Sequence, residues 1–326
     1  MSAIDAHAHV LPREFPDIAG FPTMSRLSGE TARRLTFGTT DYVAADVYFD
    51  AGRRVAAMDA AGVAEEIVSP MPPLLNFALE AGVARDLFRF VSENVAEIAS
   101  AGAGRIHGYG VVPLQDPDLA AAELAGLVDL GLRGVEVASH VAGTPIGDAR
   151  FAGFFAEAER LDLGVFVHTL PRLDEVGVDP ALRASIGVGI EAARGAASLA
   201  LGPIGDTCVL DRVLFSHAAG GLPLVLARAD YFWSTADAAN RPAERPSDRA
   251  RRFLYDSMVF DARGLRFAID YLGTDRIVLG TDYPAMPRPS RLDSLLDDLD
   301  LDLADRDRIL SGNARRMLDP VSSPVA

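Results

Sequence analysis

The sequence predicts an α/β fold, specifically a (β/α)8 TIM barrel. Short apolar runs rich in Val and Ile alternate with longer amphipathic segments along the 326 residues, which suits eight strand–helix units. The strand candidates are nearly continuous apolar runs, as expected for parallel strands buried on both faces. Residues with metal-binding or acid–base side chains cluster where several of these runs end. Active sites of barrels lie at the carboxyl ends of the strands, so this clustering favours the barrel over a doubly wound open sheet.

The predicted strands and helices alternate in order along the chain. The strands are expected at residues 4–10, 65–71, 106–114, 132–140, 163–169, 212–218, 257–262 and 276–284. The helices are expected at residues 51–62, 84–102, 116–131, 148–164, 179–201 and 261–273. The helix at 116–131 opens on Asp-Pro and the helix at 51–62 ends on Gly, which are common signals for a helix start and a helix end.

One domain accounts for most of the chain. We expect a barrel over residues 1–320 and a flexible tail over residues 321–326. Residues 11–50 are rich in Pro and Gly near their start and show no clear helix–strand rhythm. We therefore expect this segment to form a small lid or insertion that follows strand 1 and crosses the top of the barrel.

Composition limits the classes of partner. The net charge of −15 disfavours binding to nucleic acid or to an anionic membrane surface. Apolar residues make up 49% of the chain, but no run approaches the ~18 residues of a membrane span. A single cysteine, Cys208, excludes a disulfide framework, and only three residues precede the first apolar run. These features predict a cytoplasmic protein.

The stretch "IDAHAHVLP" at residues 4–12 places two histidines two positions apart on the first strand. Side chains at i and i+2 of a strand point to the same face, so His7 and His9, together with Asp5, are expected to face the barrel interior. Two imidazoles on one side of a strand can bind a metal ion together as two ligands. Asp5 is also a candidate hydrogen-bond partner for one of these histidines.

Three further residues with metal-binding or acid–base side chains stand at the ends of other strands. His168 ends the fifth in "VFVHT", His217 the sixth in "LFSHAAGG", and Asp282 the eighth in "VLGTDYP". Three imidazoles and one carboxylate form a common set of ligands for a divalent metal, with a position left for water or substrate. Asp256, just before the seventh predicted strand, is expected to have a structural role.

The chain contains no lysine, so all 31 basic residues are arginines. It therefore cannot form a Schiff base or offer a carboxylated lysine to bridge two metal ions. This absence favours a mononuclear site.

The order of these residues resembles the amidohydrolase superfamily, and within it the amidohydrolase-related (family 2) branch. That branch includes aminocarboxymuconate semialdehyde decarboxylase and the hydroxybenzoate-type decarboxylases. The resemblance covers residues 5–284 and rests on the following pieces: "DAHAHVLP", "MDAAGV", "VVPLQDP", "LGLRGVEV", "FVHTLP", "FSHAAGGLP", "YDSMVFD" and "RIVLGTDYP".

The resemblance implies roles for the clustered residues. His7, His9, His168 and Asp282 would bind one divalent ion per chain, Zn²⁺ by preference, with Mn²⁺ as the alternative. His217 would be the catalytic acid–base group, and Asp282 would share proton transfer with it.

The resemblance also suggests substrate-binding residues and a homodimer. Arg228 corresponds to an arginine that reaches into the active site of the other subunit and binds a substrate carboxylate. A second substrate-binding arginine of the semialdehyde decarboxylase aligns with Tyr42, which suggests a smaller or less anionic substrate here. Arg172, on the loop after the fifth strand, and His140, at the end of the fourth, are further candidates for contact with an acidic substrate.

The resulting hypothesis is a metal-dependent decarboxylase, a non-oxidative C–C lyase, for a small unsaturated or aromatic carboxylic acid. The alternative is a hydrolase of a C–N, ester, lactone or C–C bond that uses the same centre, because the metal ligands alone do not separate the two reactions. A non-catalytic barrel that binds a ligand is the third class.

Overall fold

Eight parallel strands form the centre of the molecule in a computed structural model that describes residues 2–27, 31–38, 40–170 and 179–319. The strands follow one another around the sheet in chain order. The segment that follows the last strand returns to the first through a parallel bridge between Ala8 and Tyr283, which closes the barrel. The strands are β1 (Ala3–Val10), β2 (Val63–Pro70), β3 (Ile106–Val111), β4 (Gly134–Ala138), β5 (Gly164–His168), β6 (Val213–Phe215), β7 (Leu254–Asp256) and β8 (Ile277–Val278). The predicted (β/α)8 barrel is confirmed.

Helices lie between the strands. The longer ones are α1 (Ala51–Ala61), α2 (Ala81–Ala101), α3 (Pro117–Asp129), α4 (Ala152–Arg160), α5 (Val188–Leu201), α6 (Leu222–Thr235) and α7 (Ala262–Leu272). Four short helices span Pro180–Leu182, Pro246–Ala250, Leu303–Asp307 and Asn313–Arg315. The side chains of Asp50, Asp116 and Asp261 accept backbone N–H groups at the starts of α1, α3 and α7. Among the described helices, none has both the length and the apolarity needed to cross a bilayer.

Apolar side chains fill the barrel interior. The Tyr109 hydroxyl donates to the Met317 carbonyl at 2.8 Å, so the side chains inside the barrel are bonded to the C-terminal segment that covers this end. The cluster contains Ile4, Ala6, Ile67, Tyr109, Phe166, Leu214, Leu254, Val278, Ala314, Met317 and Leu318. Because side chains plug this end of the barrel, a site must lie at the opposite end, above the carboxyl ends of the strands.

The seventh strand lies before the predicted position of residues 257–262. It comprises Leu254–Asp256, and Phe260, in the run read as a strand, is 74% exposed. Leu254 fills the barrel interior, and Asp256 then accepts the backbone N–H of Met258 at 3.1 Å, which turns the chain away from the sheet. The apolar run after Asp256 is therefore a loop, and Asp256 ends the strand where we expected it to precede one.

Residues 11–50 contain a three-stranded antiparallel sheet, which we term the insertion sheet. Its strands are Thr23–Arg26, Arg33–Phe37 and Thr40–Ala44. In the central strand, Arg33, Leu35 and Phe37 are buried while Arg34 and Thr36 are exposed, so one face packs against the core.

Strand β1 changes phase midway. Ile4 and Ala6 point into the barrel, but pairing with β2 is irregular between Asp5 and Ala8, which indicates a bulge. Asp5 points outward: its carboxylate accepts the Thr281 hydroxyl at 2.5 Å. The expectation that Asp5 faces inward with the two histidines is wrong, because the bulge brings the histidines to the inner face without Asp5.

Outside β1 and β2 lies a buried network of four charged side chains. Arg54 donates its Nε–H to Glu66 at 2.6 Å and an Nη1–H to the carbonyl of His9 at 3.0 Å. Arg288 donates to Asp5 at 2.9 Å and also contacts Glu66. Burial alone would raise the pKa of Glu66, but the two guanidinium groups outweigh it and lower that pKa.

Replacing Glu66 with Gln should lower the free energy of unfolding by about 3 kcal/mol at pH 7, because it leaves two guanidinium groups underpaired in the interior. Since the pKa of Glu66 is lower in the folded state, its contribution is complete above the unfolded pKa, which is near ~4.3, and is lost as the pH falls through the folded value. Urea denaturation at pH 7 and at a series of lower pH values measures both effects.

The control is Glu157→Gln, which removes the partner of the exposed Arg160 and should change stability little. Equal effects of the two substitutions, or a difference between wild type and Glu66→Gln that stays constant down to pH 3, would contradict the account.

Candidate metal centre

Three imidazoles and one carboxylate converge above the apolar filling of the barrel. One ligand atom from each of His7, His9, His168 and Asp282 lies within 4.8 Å of all the others. The Nε2 atoms of His7 and His9 are 3.1 Å apart, and Asp282 Oδ1 lies 3.0 Å from His9 Nε2 and 3.6 Å from His7 Nε2. The structure thus brings together the four residues that the sequence proposes as ligands.

The other nitrogen of each of these rings is already engaged. The Nδ1 acceptors are the Asp256 carboxylate for His7 (2.7 Å), the Pro70 carbonyl for His9 (3.0 Å) and the Thr169 carbonyl for His168 (3.0 Å). Because Nδ1 is hydrogen-bonded, the lone pair of Nε2 is free to point toward the centre of the cluster, which is the usual arrangement of metal-binding histidines. His168 Nε2 is buried and lacks a hydrogen-bond partner among the described residues, so the donor set fits one divalent ion.

Different elements position these four groups. His7 and His9 lie on β1 after the bulge, and His168 is the last residue of β5. Asp282 lies beyond β8 in the left-handed region (φ 57°), and its backbone N–H donates to the His7 carbonyl at 2.8 Å. The segment after β8 therefore pairs with β1 and places its carboxylate beside the two β1 histidines.

Burial and neighbouring charge shift the pKa values of three of these four groups in directions that suit metal binding. Burial lowers the pKa of His168 well below its ordinary value, and it also lowers the pKa of His9. Burial opposes ionisation of Asp282, but His9 and His7 outweigh it and lower the pKa of that carboxyl. For His7, Asp256 and Asp282 outweigh burial and raise its pKa. Neutral imidazole and ionised carboxylate are the forms that bind metals.

His217 lies beside the four groups in a tight turn after β6. Its ring centroid is 5.4 Å from that of His7 and 5.5 Å from that of His168. His217, Ala218 and Ala219 all have left-handed backbone angles (φ 54°, 49° and 51°). Burial, partly opposed by the nearby Asp256, lowers the pKa of His217 to about 4, so its ring is neutral at pH 7.

Asp256 holds this turn and a ligand histidine at once. Besides His7 Nδ1, its carboxylate accepts the backbone N–H groups of His217 at 2.9 Å and Ala218 at 2.8 Å. These hydrogen bonds give it a role at the site that the sequence did not predict. An acidic residue at the end of a strand could have indicated this role. It was missed because the seventh strand was predicted at residues that follow Asp256.

Glu136 is a second residue that the sequence analysis missed. It pairs with Phe166, which points into the barrel, so Glu136 also faces the interior. It is fully buried, and both of its oxygens lack hydrogen-bond partners among the described residues. Burial raises its pKa well above the ordinary value, which the neighbouring Ser69 hydroxyl only partly offsets. An acid within an apolar strand carried no spacing signal.

The structure describes two of the three residues proposed for substrate contact. His140 is half-buried in a two-stranded hairpin (His140–Val141 with Thr144–Pro145) that follows β4, and its Nε2 lies 3.1 Å from the Leu170 carbonyl. Arg228 is exposed on α6, and its guanidinium lies 4.9 Å from the centroid of the Phe232 ring. Arg172 lies outside the described residues, as does the predicted tail. These three assignments stay predictions.

Comparison with known proteins identifies the family and agrees with the fold. An amidohydrolase family model matches residues 4–319. A 2-amino-3-carboxymuconate-6-semialdehyde decarboxylase from Dictyostelium discoideum is 25% identical over 86% of this chain and 81% of its own. A gamma-resorcylate decarboxylase from Rhodococcus jostii is 28% identical over 71% of this chain and 76% of its own.

Solved structures share the whole architecture. The apo form of Metarhizium anisopliae IDCase superposes with a TM-score of 0.81 at 20% identity, over 97% of this chain and 96% of that one. The 5-carboxyvanillate decarboxylase from Sphingomonas paucimobilis gives a TM-score of 0.79 at 22% identity, over 98% and 99%. With a closed barrel, three histidines and an aspartate above it, and a family match over nearly its full length, this chain belongs to the amidohydrolase family.

Proposed function

We propose that this protein is a metal-dependent decarboxylase that acts on a small unsaturated or aromatic carboxylic acid. The observation that carries the proposal is the convergence of three Nε2 atoms and one carboxylate beside the neutral ring of His217. The curated relatives described above are decarboxylases of such acids, which favours decarboxylation over hydrolysis by the same centre.

The ion would be held by His7, His9, His168 and Asp282. When bound, it supplies a positive charge that attracts an acidic substrate and stabilises negative charge that develops during the reaction. Three imidazoles suit Zn²⁺, which we propose as the native metal. Mn²⁺ is the alternative, because a related dihydroxybenzoic acid decarboxylase was solved with bound manganese.

The residues of the chain would manage the proton that replaces CO₂. When the bond between the substrate carbon and its carboxylate breaks, the electron pair stays on that carbon, which must then gain one proton. Asp282 is ionised and His217 is neutral at pH 7, so one of them would first accept a proton from the substrate or from solvent and would then deliver it to that carbon. Asp256 fixes the backbone of His217 through the hydrogen bonds described above. Burial of the site keeps out water that would otherwise compete with these groups to protonate the carbon.

The surroundings of the centre are also part of the proposal. The insertion sheet at residues 11–50 would cover the mouth of the site as a lid. Arg172 and His140 would contact the substrate from the loops after β5 and β4. The single cysteine suits a reducing compartment, which supports a cytoplasmic location.

We further propose that the protein is a homodimer joined through α6. Four large side chains on this helix are exposed: Leu224, Val225, Tyr231 and Phe232. Leu224, Arg228 and Tyr231 follow helical spacing, so they share one face with the arginine that would reach the other subunit. A second copy of the chain would cover this apolar stripe.

Metal content tests the ligand set. We expect about one equivalent of Zn²⁺ or Mn²⁺ per chain, as a four-ligand site requires, and a loss of at least tenfold in metal affinity in His7→Ala and Asp282→Ala. Elemental analysis after dialysis against Zn²⁺, with calorimetric titration, measures both. His107→Ala is the matched control, because His107 contacts Glu65 and does not belong to the cluster. Metal-free wild-type protein after reconstitution would refute the site.

Release of CO₂ tests the reaction. The metal-loaded protein should release CO₂ from at least one hydroxybenzoate or unsaturated acid, and His217→Gln should lower kcat by about 10²-fold or more while metal stays bound. A coupled CO₂ assay and elemental analysis of the same samples separate loss of chemistry from loss of metal. Turnover of amides or lactones but of no carboxylic acid would favour the hydrolase instead.

Sedimentation velocity tests the dimer. The wild type should sediment as a dimer at micromolar concentration, and Leu224→Asp with Phe232→Asp should sediment as a monomer because buried charge opposes association. Leu303→Asp changes another highly exposed leucine and should leave the dimer intact. A monomeric wild type would exclude the proposed role of Arg228.

A further inference from the structure

Two side chains join strands β5 and β6 beyond the end of their backbone pairing. On β6 that pairing ends with Phe215, which pairs with Val167 of β5. Just above it, the side chains of Thr169 and Ser216 are buried, and their hydroxyl oxygens are 3.1 Å apart. Ser216 Oγ also accepts the backbone N–H of Thr169 at 3.0 Å. We term this pair of residues the hydroxyl bridge.

The serine hydroxyl takes the place of a backbone carbonyl between the two strands. Lower in the sheet, Val165 donates its N–H to the carbonyl of Arg212 at 2.9 Å. The N–H of Thr169 donates at the same sequence offset to Ser216, but to the side-chain oxygen of that residue. The buried N–H is therefore satisfied although the backbone of Ser216 leaves the sheet and begins a 3-10 turn. The bridge thus holds β5 to β6 at the point where the chain turns away.

The hydroxyl bridge lies between a proposed metal ligand and the proposed acid–base group. The N–H that Ser216 accepts belongs to the peptide bond between His168 and Thr169, and the Thr169 carbonyl lies 3.0 Å from His168 Nδ1. Ser216 directly precedes His217 in the chain. The ring centroids of the two histidines are 5.5 Å apart. One peptide unit on each side therefore connects the bridge to each histidine.

The turn that carries His217 depends on contacts of this kind. His217, Ala218 and Ala219 all have left-handed backbone angles, which residues other than glycine keep only where their surroundings enforce them. Asp256 fixes the side of the turn that faces β7, through the N–H groups of His217 and Ala218. The hydroxyl bridge fixes the side that faces β5, immediately before the first left-handed residue.

We propose that Ser216 is a positioning residue, whose hydroxyl bridge to Thr169 sets the place of the His217 ring relative to the metal ligand His168. The effect on turnover rests on the proposed function, whereas the mechanical link between the two rings does not. A displacement of about 1 Å in a reacting group can lower a rate by about 10²-fold. Loss of the bridge should therefore affect the chemical step more than substrate binding.

Substitution of the two bridge residues tests the link through turnover. Ser216→Ala leaves the buried N–H of Thr169 without its acceptor, so kcat should fall about tenfold or more while KM and bound Zn²⁺ stay within about twofold. Thr169→Val keeps the N–H bond to Ser216 and should lower kcat by a smaller factor. Ser216→Thr keeps the hydroxyl and should restore most of the wild-type kcat. The CO₂ assay and elemental analysis of the same samples measure these effects.

The ring signals of the histidines give a readout that does not need turnover. With six histidines in the chain, a ¹H–¹⁵N correlation spectrum of histidine-labelled protein contains few ring signals, and His217→Gln identifies those of His217. Ser216→Ala should shift or broaden the signals of His217 and His168, with and without Zn²⁺. The signals of His107, which contacts Glu65 instead of the cluster, should stay in place.

The control is Ser92→Ala, which removes the same kind of contact elsewhere. Ser92 Oγ accepts the buried N–H of Val111 at 3.1 Å, between α2 and β3. This variant should lose stability but keep its kcat and its His217 signals. If Ser216→Ala behaves in the same way, Ser216 has a structural role alone and the proposal is overturned. A fall in kcat that merely follows loss of Zn²⁺ would overturn it as well.

Failure of the proposed function has a different outcome. If the Zn²⁺-loaded wild type releases CO₂ from none of the acids tested, the decarboxylase assignment fails, and the ring spectra alone decide the fate of the link. Unchanged His217 signals in Ser216→Ala would then refute the positioning role, whereas shifted signals would support it for whatever reaction the centre performs.

Discussion

The carboxylate of Asp256 is the contact on which the geometry of the site depends. One buried side chain accepts from the ring of His7, from the backbone of the turn that carries His217, and from Met258 on its own loop. Three strands, β1, β6 and β7, are thereby fixed to one another above the barrel. Burial would raise the pKa of this carboxyl, but the hydrogen bond and charge of His7, the charge of His217 and the backbone N–H of Ala218 together outweigh burial and lower it, so the group remains an acceptor.

The bulge in β1 directs the two histidines to the inner face of the barrel and the acidic Asp5 to the outer face. Inside the barrel, His7 and His9 present lone pairs to a common point. Outside it, Asp5 joins Arg288 in the balanced network that also contains Arg54 and Glu66. Since Arg54 also binds the carbonyl of His9, the outer network bears directly on the strand that carries the ligands. A regular strand would have placed Asp5 on the same face as the histidines.

Features that depend on neighbouring residues in the sequence could be predicted, whereas features that depend on contacts between distant elements could not. The barrel and the four clustered residues were predictable because β1 histidine spacing and strand-end positions are local patterns that a closed parallel barrel brings together. Asp256 was misjudged because the apolar run after it resembled a strand better than the three-residue strand before it. The contact between Thr169 and Ser216 and the inward face of Glu136 depend on packing between separate elements, so no local pattern announces them.

Closure of the barrel has a consequence for the order of assembly. His7 and Asp256 are 249 positions apart in the sequence, and Asp282 lies still further along the chain. The ligand set is therefore incomplete until the last strand has docked against the first, which is among the latest events available to a chain synthesised from its N-terminus. The finished barrel, rather than a nascent segment, would therefore be the species that binds an ion at this group, and bound metal would report that the first and last strands have met.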